Sequence, residues 1–347
     1  MVVAKSPQFL FLLLCGLAAP NGTLPARALE STAGTRSATY QVRHALTVKD
    51  IPSGSKSVRV WFWLPDDDEC QDVLELVLEN PPPGYRITRD AANGHRYLYA
   101  ELNNPASGSF QLSTRFTLRR RAVALTLDPA KAVPLSSDDR ARYAEYLRPD
   151  CPHMEVTEKM IGLAKQICGD ETNVVLQARK LFDFVVDNTK HYSLANAPKS
   201  SGQGDAQYCL DKNGGSCTDQ HAFFIALARA RGIPTRLQFG SRLQVKNEGK
   251  DVDPGYRCWV NYFVPGYGWV PMDIAAANTT PAERDHYFSG LDERRIRFSE
   301  GRDLELNPRQ RGPKVNLFIA AYVEVDEKPH SALDRVMNFT QLDGNKP

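Results

Sequence analysis

Residues 214–236 read GGSCTDQHAFFIALARARGIPTR. Two glycines are followed by a capping serine or threonine, a cysteine, and a run dominated by Ala, Phe, Ile and Leu. From Ala222 to Ala230 the run is apolar nearly all round, which predicts a buried helix rather than an amphipathic one. Ser216 or Thr218 can cap it and Asp219 suits its first turn, while Gly232 and Pro234 mark its end. Cys217 therefore falls at the head of a buried helix. Free backbone N–H groups and the helix dipole favour a thiolate there. Gly214 and Gly215 let backbone approach closely.

Other segments set this helix in context. Upstream, VTEKMIGLAKQICG and NVVLQARKLFDFVVDNTKHY carry apolar residues at helical spacing. SSGQGDAQYCLDKNGG reads as a loop with at most a short helix. Downstream, TRLQFGSRLQV, YRCWVNYFV, GWVPMDIA and VNLFIAAYVEVD read as strands. Helices followed by antiparallel strands give an α+β core. Ahead of it, residues 38–127 alternate in the manner of strands: Val58, Val60, Phe62 and Leu64 share one face of KSVRVWFWLP. Turn signals at Pro81–Gly84 and Asn93-Gly94 then suggest an antiparallel β domain of sandwich type. The basic run Arg119–Arg121 reads as a solvated strand end. The expected division is a signal peptide at 1–28, a β domain at 38–127, a linker at 128–155, the α+β core at 156–327 and a tail at 328–347.

The first 28 residues have Lys5, an apolar stretch from Phe9 to Ala19 and a small-residue cleavage site at Ala26-Arg27-Ala28. Export to the periplasm or outside the cell is the expectation. No later apolar run approaches the roughly 20 residues of a membrane span. A net charge of +2 implies no nucleic-acid partner. Seven cysteines are present, and apart from Cys15 six remain: Cys70, Cys151, Cys168, Cys209, Cys217 and Cys258. An oxidising compartment permits disulfides, but sequence cannot choose the pairing. No C-x-x-C spacing or His cluster accompanies them, so neither a metal site nor a cofactor is expected.

The ordered motifs GDAQYCL, GGSCTDQHAFFIALARARGIPTR, GYRCWVNYFVPGYGWVPMDIA and FSEGRDLELNPRQRG resemble the transglutaminase-like superfamily in its bacterial exported form. The strands at SVRVWFWLP and ENPPPGYRITRDAANGHRYLYAE resemble the β domain often found ahead of that core. The resemblance implies a papain-like arrangement with Cys217 as nucleophile and Asp273 orienting a histidine base. It also implies acyl transfer or amide cleavage on peptides or proteins. The family histidine stands two residues before a Trp, and that position here is Arg257 of Arg257-Cys258-Trp259. Asn261 stands where the family usually has an acidic residue.

An arginine cannot act as base, since it stays protonated at neutral pH. It can favour a thiolate, or pair with Asp273. His221, four residues after Cys217, is a candidate substitute base or a neutral core histidine. His191 and His286 lie in loop-like stretches with nothing to recruit them. Trp259 and Trp269 read as core residues that could also line a cleft. Two functions follow: an impaired or altered thiol acyl-transfer enzyme, or an inactive relative that binds a peptide or cell-envelope component in the old cleft. On the first, Arg257→His is expected to raise amide-directed activity.

Overall fold

A computed structural model describes residues 36–343. The expected signal segment, residues 1–28, lies outside the described residues. Two antiparallel sheets form a sandwich. One is built on the long strand Ser37–Ile51, flanked by Gly108–Arg121 and Leu333–Gln341, with Gln71–Glu79 at its edge. The other runs Lys328–Pro329, Ala321–Val325, Ser57–Trp63, Arg96–Asn103, Arg86–Arg89. Leu46, Val48, Leu112, Val58, Val60, Phe62, Leu98 and Val323 fill the space between them.

Three strands of this sandwich come from the far end of the chain. Leu333–Gln341 pairs with Ser37–Ile51 from Tyr40–Gln341 to Val48–Leu333, and Ala321–Val325 pairs with Ser57–Trp63. The described part of the expected C-terminal tail, 328–343, thus contributes sheet strands, and the sandwich is not confined to 38–127. The alternation of Leu333–Gln341 is weak, with Met337 and Phe339 its buried apolar side chains, so the strand gains its place from pairing and not from pattern.

Ser57–Trp63 is buried on both faces. Val58, Val60 and Phe62 point into the sandwich, while Trp61 and Trp63 pack with Tyr97 of the neighbouring strand and with Ile296, Phe298 and Phe318 from later in the chain. The Trp63 indole donates to the Phe298 carbonyl at 2.5 Å. Nor is the Arg119–Arg121 run simply solvated. Arg120 is buried on Asp68, which also holds Arg297 at 2.7 Å. Two guanidiniums and the Cys70 amide overcome the burial that would otherwise raise Asp68, and bring its carboxyl down to about 2.

Segment 128–155 contains short helical turns. Among them is Ser137–Arg142, capped by a reciprocal Ser136–Asp139 pair. Beyond it, helices Glu158–Cys168 and Val174–Asn188 pack with the helix Cys217–Ala230. That helix is buried throughout from Cys217 to Arg229, as its all-round apolar composition predicts. It lies on a four-stranded antiparallel sheet ordered Gly268–Met272, Tyr256–Val264, Thr235–Arg242, Arg295–Glu300. Cys258, Val260 and Tyr262 join the helix-side core with Leu237 and Phe239. Helices on one face of an antiparallel sheet make the core α+β.

Candidate active site

The helix start is fixed by a capping box. Ser216 Oγ accepts from the Asp219 amide at 3.4 Å, and the Asp219 carboxylate accepts from the Ser216 amide at 2.7 Å. The same carboxylate takes the Asp205 amide at 2.8 Å and the Ser201 amide at 3.2 Å, tying the 200–205 loop to the helix. Gly214 and Gly215 hold φ of 146° and 145°. A Cβ on Gly214 would collide with the Lys190 backbone, and one on Gly215 with Asp219. Glycine is therefore required for segment Lys190–His191 to pair in parallel with Gly214–Gly215, with His191 opposite Gly215.

Cys217 is 4% exposed and Cys258 fully buried. Thr218 Oγ1 lies 3.9 Å from the Cys217 sulfur, 3.5 Å from the Cys258 sulfur and 3.2 Å from the Tyr256 hydroxyl. From Cys258 a line of contacts runs inward. His221 Nδ1 is 3.1 Å from the Cys258 sulfur, and His221 Nε2 accepts from the Ile274 amide at 3.0 Å and lies 3.6 Å from Asp273. Asp273 accepts from the Ala276 amide at 2.8 Å and pairs with buried Arg295 at 2.7 Å.

These contacts set the charges. The Cys258 thiol, as hydrogen-bond partner, holds Cys217 well below its ordinary value against burial, with His191 and His221 adding to the effect. Cys258 is pushed up by burial and by its neighbour Cys217. Burial also raises Tyr256, with Cys217 adding. Asp273 is held far below the carboxylate range: Arg295, His221 and the Ala276 amide together outweigh its desolvation. Burial lifts the other described thiols, Cys70, Cys151, Cys168 and Cys209. Cys217 alone among the six is lowered. None of the six is in a disulfide.

The structure thus brings Cys217, His221 and Asp273 together. Arg257 stands apart from them. Its guanidinium donates to the carbonyls of Gly255 at 3.2 Å and Tyr256 at 2.9 Å, and the partner of Asp273 is Arg295 instead. Alternation along the strand explains this: Val260 and Tyr262 face the helix, so Cys258 does too and Arg257 does not. Trp259 shares Arg257's face, where it donates to Gln238 at 2.7 Å with Arg295 over its ring. Trp269 packs on Tyr143, Tyr146 and Phe263.

Sequence reasoning missed Arg295 and set His191 aside. His191 is buried beside Cys217, its amide held by Asn278 at 2.8 Å, and its Nδ1 lies 2.7 Å from Ser193 Oγ. The signal for it was the glycine pair, which implies a segment packed flush against residues 214–215. Among the described residues no group of His, Cys, Asp and Glu is arranged to hold a metal ion, and no helix is long and apolar enough to cross a membrane.

Residues 161–274, which include His191, Cys217, His221, Cys258 and Asp273 but not Arg295, match the family model of the transglutaminase-like superfamily. The core of this chain is thus similar to transglutaminase-like domains. The chain is similar, at 26% identity over 82% of its length and 85% of the relative's, to an uncharacterised protein of Haemophilus influenzae. Its fold is similar to the crystal structure of a candidate cysteine protease from Cytophaga hutchinsonii. That match has a TM-score of 0.58 and 17% identity, and covers 90% of this chain and 93% of that one.

Proposed function

We propose that this protein is an exported thiol enzyme that forms an acyl-enzyme on Cys217 and cleaves or transfers amide-linked acyl groups of peptides or proteins. The observation that carries this reading is the placement of Cys217 at the capped head of a buried helix, with Thr218 against its sulfur and the His191 segment paired alongside, where its thiol is favoured as the anion. A thiolate is the competent nucleophile, and the helix N-terminus favours it and the oxyanion that follows. Export is supported by Lys5 and the apolar stretch from Phe9 to Ala19.

A binding-only role has one observation in its favour. Cys217 is nearly closed off and the family base position holds an arginine that faces elsewhere. The two readings separate on a panel of peptide amides, thioesters and amine acceptors. Turnover that disappears in Cys217→Ala supports the enzyme. A folded wild type silent across the panel, yet binding a peptide equally well with and without the cysteine, supports the binder.

A further inference from the structure

We propose that His191 is the proton carrier of the Cys217 reaction, a role that rests on Cys217 being the nucleophile. Two histidines flank the thiol, and their hydrogen bonds distinguish them. His221 Nε2 accepts a backbone N–H, from Ile274 at 3.0 Å. An amide can only donate, so the neutral ring keeps its proton on Nδ1, directed at Cys258. Its Nε2 is thus taken up by the Ile274 amide and its Nδ1 is turned to Cys258. His221 therefore directs its Nδ1 at Cys258, not at Cys217.

His191 has a different partner. Its Nδ1 meets the Ser193 hydroxyl at 2.7 Å, with a longer contact to the Ser193 amide at 3.4 Å. The Ser193 hydroxyl can accept from Nδ1–H in the neutral and in the protonated ring alike, which keeps Nε2 open to receive a proton. The ring can thus gain and lose a proton at Nε2 without leaving a buried group unpaired. Ser193 is itself exposed, which gives the pair contact with solvent. The ring's position is rigid: the parallel pairing with Gly214–Gly215, the Tyr192 amide bond to the Gly215 carbonyl at 2.7 Å and the Asn278 clamp all hold residues 190–192. Asn278 also binds the carbonyls of Val186 and Thr189, each at 2.9 Å, so it joins the segment to the preceding helix.

In the reaction, His191 Nε2 takes the Cys217 proton and the thiolate forms a C–S bond to the carbonyl carbon, the C=O electron pair moving to oxygen. When that pair returns, the C–N bond breaks and Nε2–H protonates the departing amine. Water or an acceptor amine then attacks the thioester and gives a proton to Nε2. The C–S bond breaks, and the sulfur recovers its proton. The groups facing the pair are Cys258 and Tyr256 from one strand, His221 and Asp219 from the helix, and Asp273 behind His221.

The test follows iodoacetamide alkylation of Cys217 against pH, read on its own peptide by mass spectrometry, in wild type, His191→Gln and Ser193→Ala. The expected result is a midpoint that rises in His191→Gln, with alkylation below it slowed about tenfold for each unit of rise, and a smaller rise in Ser193→Ala. Amide turnover in His191→Gln should fall about 10²- to 10⁴-fold in kcat with little change in KM. Ser193 is exposed, so its variant decides the matter if His191→Gln does not fold. A low wild-type midpoint unchanged by both substitutions overturns the role of His191 and leaves the Cys217 reading standing. An ordinary wild-type midpoint overturns both.

Discussion

The two halves of the helix Cys217–Ala230 are equally buried and opposite in chemistry. From Ala222 to Ala228 every residue is apolar and essentially inaccessible, held by packing alone. From Cys217 to His221 every residue is buried as well, yet each is polar or a thiol, and each depends on a partner from another element. Asp219 needs the 200–205 loop, Gln220 donates to Thr189, and His221 needs Cys258 and the Ile274 amide. Burying polar groups costs stability unless they are paired, so such a cluster persists where its chemistry is used. The difference teaches that one half specifies the fold and the other half the site.

The comparison breaks most sharply at the far end of the polar line. Asp273→Ala should leave Arg295 charged and buried, at a cost of about 3–5 kcal/mol in chemical denaturation. Replacing both residues, as Asp273→Ala with Arg295→Met, should be more stable than Asp273→Ala alone. A double variant less stable than the single would show that the ion pair is not what the arginine serves. In the apolar half, Ile225→Val should cost only about 0.5–1.5 kcal/mol, through the lost methylene, and leave Cys217 reactivity unchanged. A shift in that reactivity would mean the halves are coupled.

The smallest effect is expected at Arg257→His. The side chain faces away from Cys217 and bonds only to nearby carbonyls, so stability should move by less than about 0.5 kcal/mol and amide turnover hardly at all. The family pattern on its own predicts a gain there. A Cys217-dependent gain would show that the strand can present residue 257 to the thiol.

Legibility in the sequence follows the same division. The buried helix, its capping residues and its stop at Gly232 were readable because they depend on neighbours within a few residues. Cys217 and Asp273 were readable through ordered motifs. Arg295 was not, since its value lies in Asp273, 22 positions away across the sheet. His191 was hidden in a two-residue strand too short to leave a periodic trace. Cys258 is not legible as a site residue, because motif spacing points to Arg257 while strand alternation turns its neighbour inward. The strand Leu333–Gln341 reads as a tail for a related reason: its partner, Ser37–Ile51, lies at the other end of the chain.

The central claim is a thiolate at Cys217, and its most direct test is the ultraviolet thiolate absorbance of the native protein minus that of Cys217→Ala, followed against pH. Burial raises the other five described thiols, so the difference isolates one group. Because the folded value is depressed, the ionised form should also add stability that is full above the unfolded thiol value of about 8.5 and is lost as pH falls through the folded value. The account predicts a difference titration with its midpoint well below about 8.5. A midpoint at or above that value would contradict it.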